Sequence, residues 1–285
     1  YMGVAGDAEL TQMVENSDAL ILLGVILSDT NFGISEKKID LRKTILASDG
    51  RVSLGYHSYL NLPISSLVKA LNQKLEIRQT TTATKVEYPH NLSVDDEAIT
   101  PTDIARAVND IFKEHELMPI AADMGDCLFT ALDIEHTELV APGYYATMGF
   151  GVPAGLGVQA ATGRRPIIMV GDGAFQMTGW ELLNCKRYAW NPIVLLFNNS
   201  SWEMLRAFQP ESKFNDLDHF NYADIANSLG GVGKRATTRR ELKEALNHAL
   251  KDKSQFQLVE IILKRGELSQ TLSRFVDGIK RMREG

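Results

Sequence analysis

Two short polar motifs, each directly after an apolar run, have residue types that could bind a phosphate through a metal ion. Asp172 lies between two glycines after the apolar residues 167–170, and Asn199 follows the apolar residues 192–197. Glycines allow sharp turns and close approach to a ligand, and helix N-termini attract phosphate. A carboxylate would repel a phosphate unless a cation lay between them. The pattern therefore predicts that Asp172 binds a divalent cation and that the cation binds a phosphate.

The neighbouring polar groups complete an oxygen-rich ligand set. Asn199 can offer its amide oxygen and Ser201 its backbone carbonyl. With the Asp172 carboxylate, phosphate oxygens and water, these give the octahedral arrangement that Mg²⁺ prefers. Each motif alone is also ordinary turn or strand-end chemistry. Because both motifs end apolar strands, with room for one helix and a return strand between them, the metal site is the favoured interpretation.

Alternating strand and helix patterns predict the elements that would position these motifs. A helix should begin at Thr100 as N-cap with Pro101 next, and an apolar run at residues 18–29 is typical of a strand buried on both faces. The pattern predicts an α/β protein with two doubly wound parallel-sheet domains. We predict a partial middle domain at residues 1–79, a linker at 80–99 and a diphosphate-binding domain at 100–285. Further strands are expected at residues 118–123, 166–170, 192–197 and 257–262.

Composition excludes several classes of partner. The chain has 285 residues and a formal charge of −6, which disfavours binding to nucleic acid phosphates. The two cysteines fit a reducing compartment, and no apolar run reaches the roughly 18 residues of a membrane span. We therefore expect a cytoplasmic protein that binds neither nucleic acid nor membrane. The chain begins without Met, which favours interpreting it as a truncated sequence.

The Gly-Asp-Gly motif followed by a double Asn resembles the signature of thiamine-diphosphate-dependent enzymes. The stretches "ADMGDCLFTA", "PGYYATMGFGVPAGLG" and "NNSSWEMLRAFQPES" resemble 2-oxo-acid decarboxylases of the pyruvate and indolepyruvate group, most closely the phenylpyruvate subgroup. The resemblance covers essentially the whole chain. It implies non-oxidative decarboxylation of aromatic 2-oxo acids, such as phenylpyruvate and indolepyruvate, to aldehydes with Mg²⁺ and thiamine diphosphate as cofactors.

The resemblance also implies roles for individual residues. Asp172, Asn199 and the Ser201 carbonyl would bind the metal. Met148 would wedge the cofactor into its reactive bent shape, and Leu205 stands where pyruvate decarboxylases have an acid, which favours aryl substrates. Glu203 has the wrong spacing for that acid and is interpreted as structural. The cofactor-binding residues would be Asp126, Cys127, Ala146, Met148, Gly171, Gly173, Ala174, Phe175, Asn199 and Met204.

The family assembles its site with a pyrimidine-binding domain that these 285 residues do not contain. The resemblance implies that this domain comes from the same or another subunit and that the enzyme is a homodimer or homotetramer. The isolated chain is expected to be inactive. Two alternatives remain open: a binding subunit that needs a separately encoded partner, and a carboligase such as acetolactate synthase. The middle segment looks too short for the flavin-binding domain that those carboligases usually carry.

Overall fold

The computed structural model describes residues 1, 3, 6–27, 39–74, 87–135 and 138–284, with no side-chain description after residue 280. The chain divides into two compact units, residues 1–86 with 277–285, and residues 87–276. Residues 80–86 of the expected linker lie outside the described residues. The following segment packs on the second unit, where Leu92 is buried and the Asp110 carboxylate accepts the N–H groups of Asn91 and Leu92, each at 2.8 Å. The assignment to middle domain, linker and diphosphate-binding domain stays a prediction.

The first unit contains a mixed sheet. Its described strands have the order β1-β2-β3-β4, in which β1 and β2 are parallel and the other two pairs antiparallel. The prediction of a doubly wound parallel sheet for this part was therefore wrong for the described strands, because the tight turns between β2 and β3 and between β3 and β4 allow only antiparallel pairing. The elements are α1 (Ala8–Glu15), β1 (Leu20–Leu23), β2 (Thr44–Ser48), β3 (Arg51–Leu54), β4 (His57–Leu60) and α2 (Ile64–Lys74).

Strand β1 differs from the expectation for residues 18–29, of which 28 and 29 lie outside the described part. The strand covers only Leu20–Leu23, and Ile21 and Leu23 are 45% and 42% exposed. Among the described strands β1 has a neighbour on one side only, and its residues alternate between exposed and half-buried. Burial on both faces was therefore the wrong prediction for this strand.

The second unit is built on a parallel sheet with the order β6-β5-β7-β8-β10-β9. Every described pair of neighbouring strands in it is parallel. The elements of this part of the chain are α3 (Pro101–Glu114), β5 (Ile120–Ala122), α4 (Asp126–Ala131), β6 (Leu139–Val140), α5 (Gly151–Thr162), β7 (Ile167–Gly171), α6 (Asp172–Thr178), α7 (Leu183–Tyr188), β8 (Ile193–Asn198), α8 (Glu203–Phe208), α9 (Tyr222–Ser228), β9 (Val232–Ala236), α10 (Arg239–Lys251), β10 (Gln257–Ile262) and α11 (Gln270–Glu284).

Both faces of this sheet are buried, because successive strand residues enter different cores. Ile167 and Met169 of β7 pack in a core with residues of α3, α4 and α10. Ile168 and Val170 pack in a second core with residues of α5, α6 and α9. Helices covering both faces of a parallel sheet define a doubly wound α/β domain. The α/β class and the doubly wound architecture of this unit are thus confirmed.

The predicted start of α3 is also confirmed. The Asp103 N–H donates to the Thr100 hydroxyl at 3.2 Å, and the Thr100 N–H donates to the Asp103 carboxylate at 3.0 Å. This capping box, with Pro101 as the first helical residue, fixes where the helix begins.

Across the described ranges, no helix combines the length and the apolar character that crossing a membrane requires.

The Arg165 side chain makes hydrogen bonds to chain segments at the amino ends of the strands. Arg165 immediately precedes the Pro166–β7 segment, and its guanidinium donates to the carbonyls of Asn191, Ala249 and Asp252. Burial lowers the pKa of this guanidinium to about 10, which leaves it charged at neutral pH. One side chain therefore joins the approach to β7, the approach to β8 and the end of α10.

Candidate active site

The predicted site residues lie at the carboxyl ends of three adjacent strands, β5, β7 and β8. From β5 the chain passes to β6 on one side of the sheet, and β7 then pairs with β5 on the other side. The direction of the winding therefore reverses between β5 and β7. In open parallel sheets, ligands bind at the carboxyl ends of strands at such switch points.

A cavity of about 200 Å³ opens at this edge of the sheet. Residues with no predicted role that also line it are Met124, Gly125, Phe197, Trp202 and Glu203. The predicted residues that line it are Asp126, Cys127, Ala146, Met148, Gly171, Asp172, Gly173, Ala174, Asn199, Ser201, Met204 and Leu205.

Phe175 differs from the other predicted site residues. It is not in the described lining of the cavity, and its ring packs edge-on against Tyr222 with centroids 5.5 Å apart. Its side chain is 4% exposed within the core on one face of the sheet. A cofactor-binding role for Phe175 stays a prediction, and its side chain packs in the hydrophobic core.

Asp172 begins α6 and is almost completely buried, with 2% of its surface exposed. One carboxylate oxygen, Oδ1, accepts the Gly173 N–H at 2.8 Å, while Oδ2 has no hydrogen-bond partner among the described residues. Burial raises the pKa of Asp172 to about 6, an effect that the Gly173 N–H partly opposes; the nearby N–H groups of Ser200 and Ser201 also oppose it, although neither makes a hydrogen bond to Oδ2. A buried, unpartnered carboxylate oxygen is costly, and a bound cation would remove that cost.

The two asparagines at the end of β8, Asn198 within the strand and Asn199 directly after it, have different functions. Asn198 is buried, and its side-chain amide donates to the Glu260 carboxylate of β10 at 2.7 Å. Asn199 lies in the cavity lining, where its side-chain oxygen accepts the Ser201 N–H at 3.1 Å. The first asparagine therefore anchors the strand end, and the second presents an amide oxygen at the cavity.

The backbone after Asn199 is held in one conformation by long-range contacts. Ser200 has a φ of 51°, a left-handed conformation that is rare outside glycine. Its carbonyl accepts from the Arg265 guanidinium at 2.6 Å. The Ser201 hydroxyl donates to the Asn215 carbonyl at 3.1 Å and accepts from Arg206 at 2.8 Å. These contacts fix the backbone conformation of Ser200 and Ser201.

Gly173 is required by a neighbouring side chain. A Cβ atom at this position would lie 2.1 Å from Nε1 of Trp202, so only glycine allows the indole to sit over the start of α6. Trp202 lines the cavity, and its Nε1 is buried with no hydrogen-bond partner among the described residues. A cofactor-binding role for Gly173 stays a prediction, and the side chain that lies close to it is that of Trp202.

The loop before α5 brings Ala146 and Met148 to the cavity. Ala146 has a φ of 60°, again a left-handed conformation. Met148 is half-buried and packs against the core that contains α5 and α6. The loop therefore brings Ala146 and Met148 to the same cavity as Asp172.

Two further carboxylates line the cavity. Burial raises the pKa of Asp126 to about 6; one of its oxygens accepts the Ser269 N–H at 2.8 Å, and the other has no partner among the described residues. Glu203 is 6% exposed and accepts the Gly266 N–H at 3.0 Å. Burial also raises the pKa of the Cys127 thiol, so this group is protonated at neutral pH and packs as a small side chain.

The donor set suits a metal bound mainly by mixed oxygen ligands. Within the part of the chain that the structure describes, no three His, Cys, Asp or Glu side chains are grouped to hold a metal ion. Asp172, Asn199 and Ser201 all line the cavity, and the Asn199 side chain and the Ser201 backbone each carry a neutral oxygen. One carboxylate with neutral oxygens suits a Mg²⁺ ion that shares its coordination shell with phosphate.

The comparisons with known proteins agree with this geometry. Residues 123–261 match the family model described as thiamine pyrophosphate enzyme, C-terminal TPP binding domain. The chain is 59% identical over 286 residues to an indole-3-pyruvate decarboxylase of Azospirillum brasilense, covering 99% of this chain and 52% of that protein. It is 26% identical to an alpha-keto-acid decarboxylase of Mycobacterium leprae (strain TN), covering 96% and 50%. The chain thus spans about half the length of the curated relatives it matches.

The fold also matches a solved structure. The thiamine diphosphate-dependent 4-hydroxybenzoylformate decarboxylase of Rhodococcus jostii RHA1 superimposes with a TM-score of 0.69 over 92% of this chain and 52% of that one, at 18% sequence identity. At that identity the likeness supports the fold alone. The resemblance predicted from the sequence motifs is confirmed by the family match and the sequence identity: residues 123–261 match the C-terminal TPP-binding domain of thiamine pyrophosphate enzymes, and nearly the whole chain is similar to an indole-3-pyruvate decarboxylase.

Proposed function

We propose that the protein containing this chain decarboxylates aromatic 2-oxo acids to aldehydes without oxidation, using Mg²⁺ and thiamine diphosphate. The chain would supply the diphosphate-binding and metal-binding part of the active site. The proposal is supported by the 59% identity to an indole-3-pyruvate decarboxylase along nearly the whole chain and by a cavity lined by the motifs of both strand ends.

The observation that carries the proposal is the unpartnered Oδ2 atom of buried Asp172. We propose that Asp172, the Asn199 side-chain oxygen and the Ser201 carbonyl bind Mg²⁺. The diphosphate would lie against the backbone of Gly173 and Met204. Further contacts would come from the remaining predicted binding residues of the lining, namely Asp126, Cys127, Gly171 and Ala174.

The side chains of the cavity would orient the cofactor and exclude water from it. Bound thiamine diphosphate supplies the nucleophilic carbon and the electron sink for the loss of CO₂ from a 2-oxo acid. Met148 would press against the cofactor rings, and the Ala146 carbonyl would accept a hydrogen bond from the aminopyrimidine. A flexible, polarisable thioether suits such an irregular contact.

Leu205 favours an aryl substrate in this proposal. It lines the cavity and is 46% exposed, so its apolar surface is available to a ligand. The lining also contains the apolar side chains of Phe197 and Trp202. Burying an unpaired carboxylate against an aromatic ring is unfavourable, whereas a leucine gains apolar contact. Phenylpyruvate and indolepyruvate are the substrates that we propose.

A pyrimidine-binding domain, from the same or another subunit, is the partner that we propose for this surface. Tyr144 and Tyr145, in the loop before Met148, are 69% and 83% exposed. Met177 and Trp180 are 51% and 62% exposed on and directly after α6. Large exposed apolar groups beside a ligand cavity are typical of interaction surfaces.

The assembly would be a homodimer or homotetramer in the cytoplasm. The unpaired, buried thiols of Cys127 and Cys185 are compatible with that reducing compartment. A separately encoded partner subunit is the alternative arrangement. Mixing the chain with a pyrimidine-binding domain and measuring aldehyde formation would support either arrangement, and the length of the coding sequence would distinguish them.

Calorimetry with the Asp172→Ala variant tests the site. The wild-type chain should bind thiamine diphosphate in the presence of Mg²⁺, and the variant should show no detectable binding because its one charged metal ligand is gone. Asp218→Ala, which removes an exposed carboxylate outside the cavity lining, is the matched control and should bind like wild type. Unchanged affinity in Asp172→Ala, with the fold intact by circular dichroism, would refute the metal assignment.

A further inference from the structure

We infer that Asp123 is the positioning residue that holds the loop carrying Ala146 and Met148 in its binding conformation. The inference deepens the proposed function and rests on it, because the loop is proposed to contact the thiamine part of the cofactor. Asp123 itself is not part of the described cavity lining. It would act through the loop.

Asp123 follows β5 directly and is completely buried. Its Oδ1 accepts the N–H of Gly149 at 2.9 Å, and its Oδ2 accepts the N–H of Gly151 at 2.6 Å. Oδ1 also accepts the neighbouring Met124 N–H at 2.8 Å. Both oxygens of one carboxylate are thus used to bind backbone, and two of the three donors belong to the loop that leads from Met148 into α5.

Asp123 is itself held in place by the sheet, and the loop packs closely against it. The Asp123 N–H donates to the Met169 carbonyl of β7 at 2.8 Å, so its backbone is tied to the central sheet. A Cβ atom on Gly151 would lie 2.8 Å from the Asp123 nitrogen and 2.9 Å from its Cβ. The loop therefore approaches Asp123 as closely as glycine permits.

The loop needs such a constraint. Ala146 and Gly149 have φ values of 60° and 80°, and a non-glycine residue in the left-handed region persists only where its surroundings impose it. Burial raises the pKa of Asp123, and the N–H groups of Gly151, Met124 and Gly149 oppose that shift. The ionised carboxylate accepts at both oxygens, whereas an asparagine would present its NH₂ group to one of these N–H donors. Asp123→Asn should therefore break one of the hydrogen bonds from the loop N–H groups to residue 123, with little change in side-chain volume.

Calorimetry with two probes distinguishes a specific effect of Asp123 on the position of the loop from a general disruption of the binding site. Inorganic pyrophosphate with Mg²⁺ reports the anchor at Asp172 alone, and thiamine diphosphate with Mg²⁺ reports the anchor and the loop together. In Asp123→Asn the Kd for thiamine diphosphate should rise about tenfold or more, as expected for the loss of a charge-assisted hydrogen bond, while the Kd for pyrophosphate stays within about twofold. Hydrogen exchange of the 146–151 backbone amides should accelerate in the same variant.

Asp110→Asn is the matched control. Asp110 also accepts two backbone N–H groups from a separate segment, at Asn91 and Leu92, but it lies outside the described cavity lining. This variant should bind both probes like wild type. Gly151→Ala tests the same contact from the loop side if Asp123→Asn does not fold, and it should reproduce the selective loss of thiamine diphosphate affinity.

The possible failures are distinguishable. Equal losses for both probes in Asp123→Asn and in Gly151→Ala would show a merely structural role, and unchanged affinities would show that the loop needs no such clamp. Either result overturns the inference and leaves the proposed function standing. If the wild-type chain binds neither probe, the proposed cofactor site is wrong and the inference fails with it.

Discussion

Replacing Asp172 by asparagine should stabilise the cofactor-free second unit at neutral pH while abolishing cofactor binding. Burial raises the pKa of this carboxyl from 3.8 to about 6, a difference of about two units. At about 1.4 kcal/mol per unit, ionising Asp172 costs the folded chain roughly 3 kcal/mol more than it costs the unfolded chain. Asparagine keeps an oxygen for the Gly173 N–H and carries no charge, so up to this amount should be regained.

The pH dependence follows from the direction of the shift. Because the pKa of Asp172 is higher in the folded than in the unfolded chain, the folded state keeps this proton to higher pH. The stability linked to that proton is present below a pH of about 4 and is lost as the pH rises to about 6. The stability gain of Asp172→Asn over wild type should therefore be small at pH 4, grow up to about pH 6 and stay constant above it.

Urea denaturation followed by tryptophan fluorescence measures this gain in the relevant unit. All three tryptophans, at positions 180, 190 and 202, belong to the second unit. Asp218→Asn removes an exposed carboxylate and controls for the change in net charge. A variant that is less stable than wild type at pH 7, or a gain that does not vary between pH 4 and pH 7, would refute the reasoning about the buried charge.

Three further predictions concern the reaction. Met148→Ala, in a protein that includes the pyrimidine-binding domain, should lower turnover far more than cofactor affinity, and equal losses would indicate an ordinary packing residue. These 285 residues alone should form no aldehyde from phenylpyruvate, because we propose that a pyrimidine-binding domain completes the site; robust aldehyde formation would show that the catalytic groups were misplaced. With Leu205 in the cavity, kcat/KM for phenylpyruvate should exceed that for pyruvate by about 10–200-fold, as extra buried apolar groups allow, and a preference for pyruvate would contradict the aryl assignment.

In the second unit, the central buried strands could be predicted from the sequence, and the edge strands β6 and β9 could not. Strands β7 and β8 are almost entirely apolar, and β10 departs from this only at Gln257 and Glu260, because both faces of the sheet are covered. Strand β9 contains Gly233 and an exposed Arg235, since it forms an edge of the sheet and needs no such run. In the first unit, the Asp49–Gly50 dipeptide, with φ values of 48° and 68°, is a hairpin signal that would have predicted the antiparallel pairing of β2 and β3.

At the site, motif spacing located the strand-end residues but not the groups that support them. Asp172 and Asn199 could be identified because each follows an apolar run. Trp202 and Glu203 could not, because their functions depend on contacts that no local pattern encodes. Glu203 binds the N–H of Gly266, 63 positions further along the chain. The contact of Trp202 with Gly173 can be recognised only in the structure, where the indole occupies the space that a Cβ atom at Gly173 would fill.

The hydrogen bonds of Arg165 lie at the amino ends of the strands, whereas the candidate active site lies at their carboxyl ends. The contacts that stabilise the sheet are therefore separate from the residues that would bind a substrate. The acceptors of Arg165, the carbonyls of Asn191, Ala249 and Asp252, lie in connections opposite the edge that carries the cavity. Loops at the cavity edge can therefore exchange side chains without disturbing that attachment. The consequence is a scaffold suited to diversification: libraries that vary positions such as Leu205 can explore new substrates while the opposite edge, left untouched, keeps the sheet assembled.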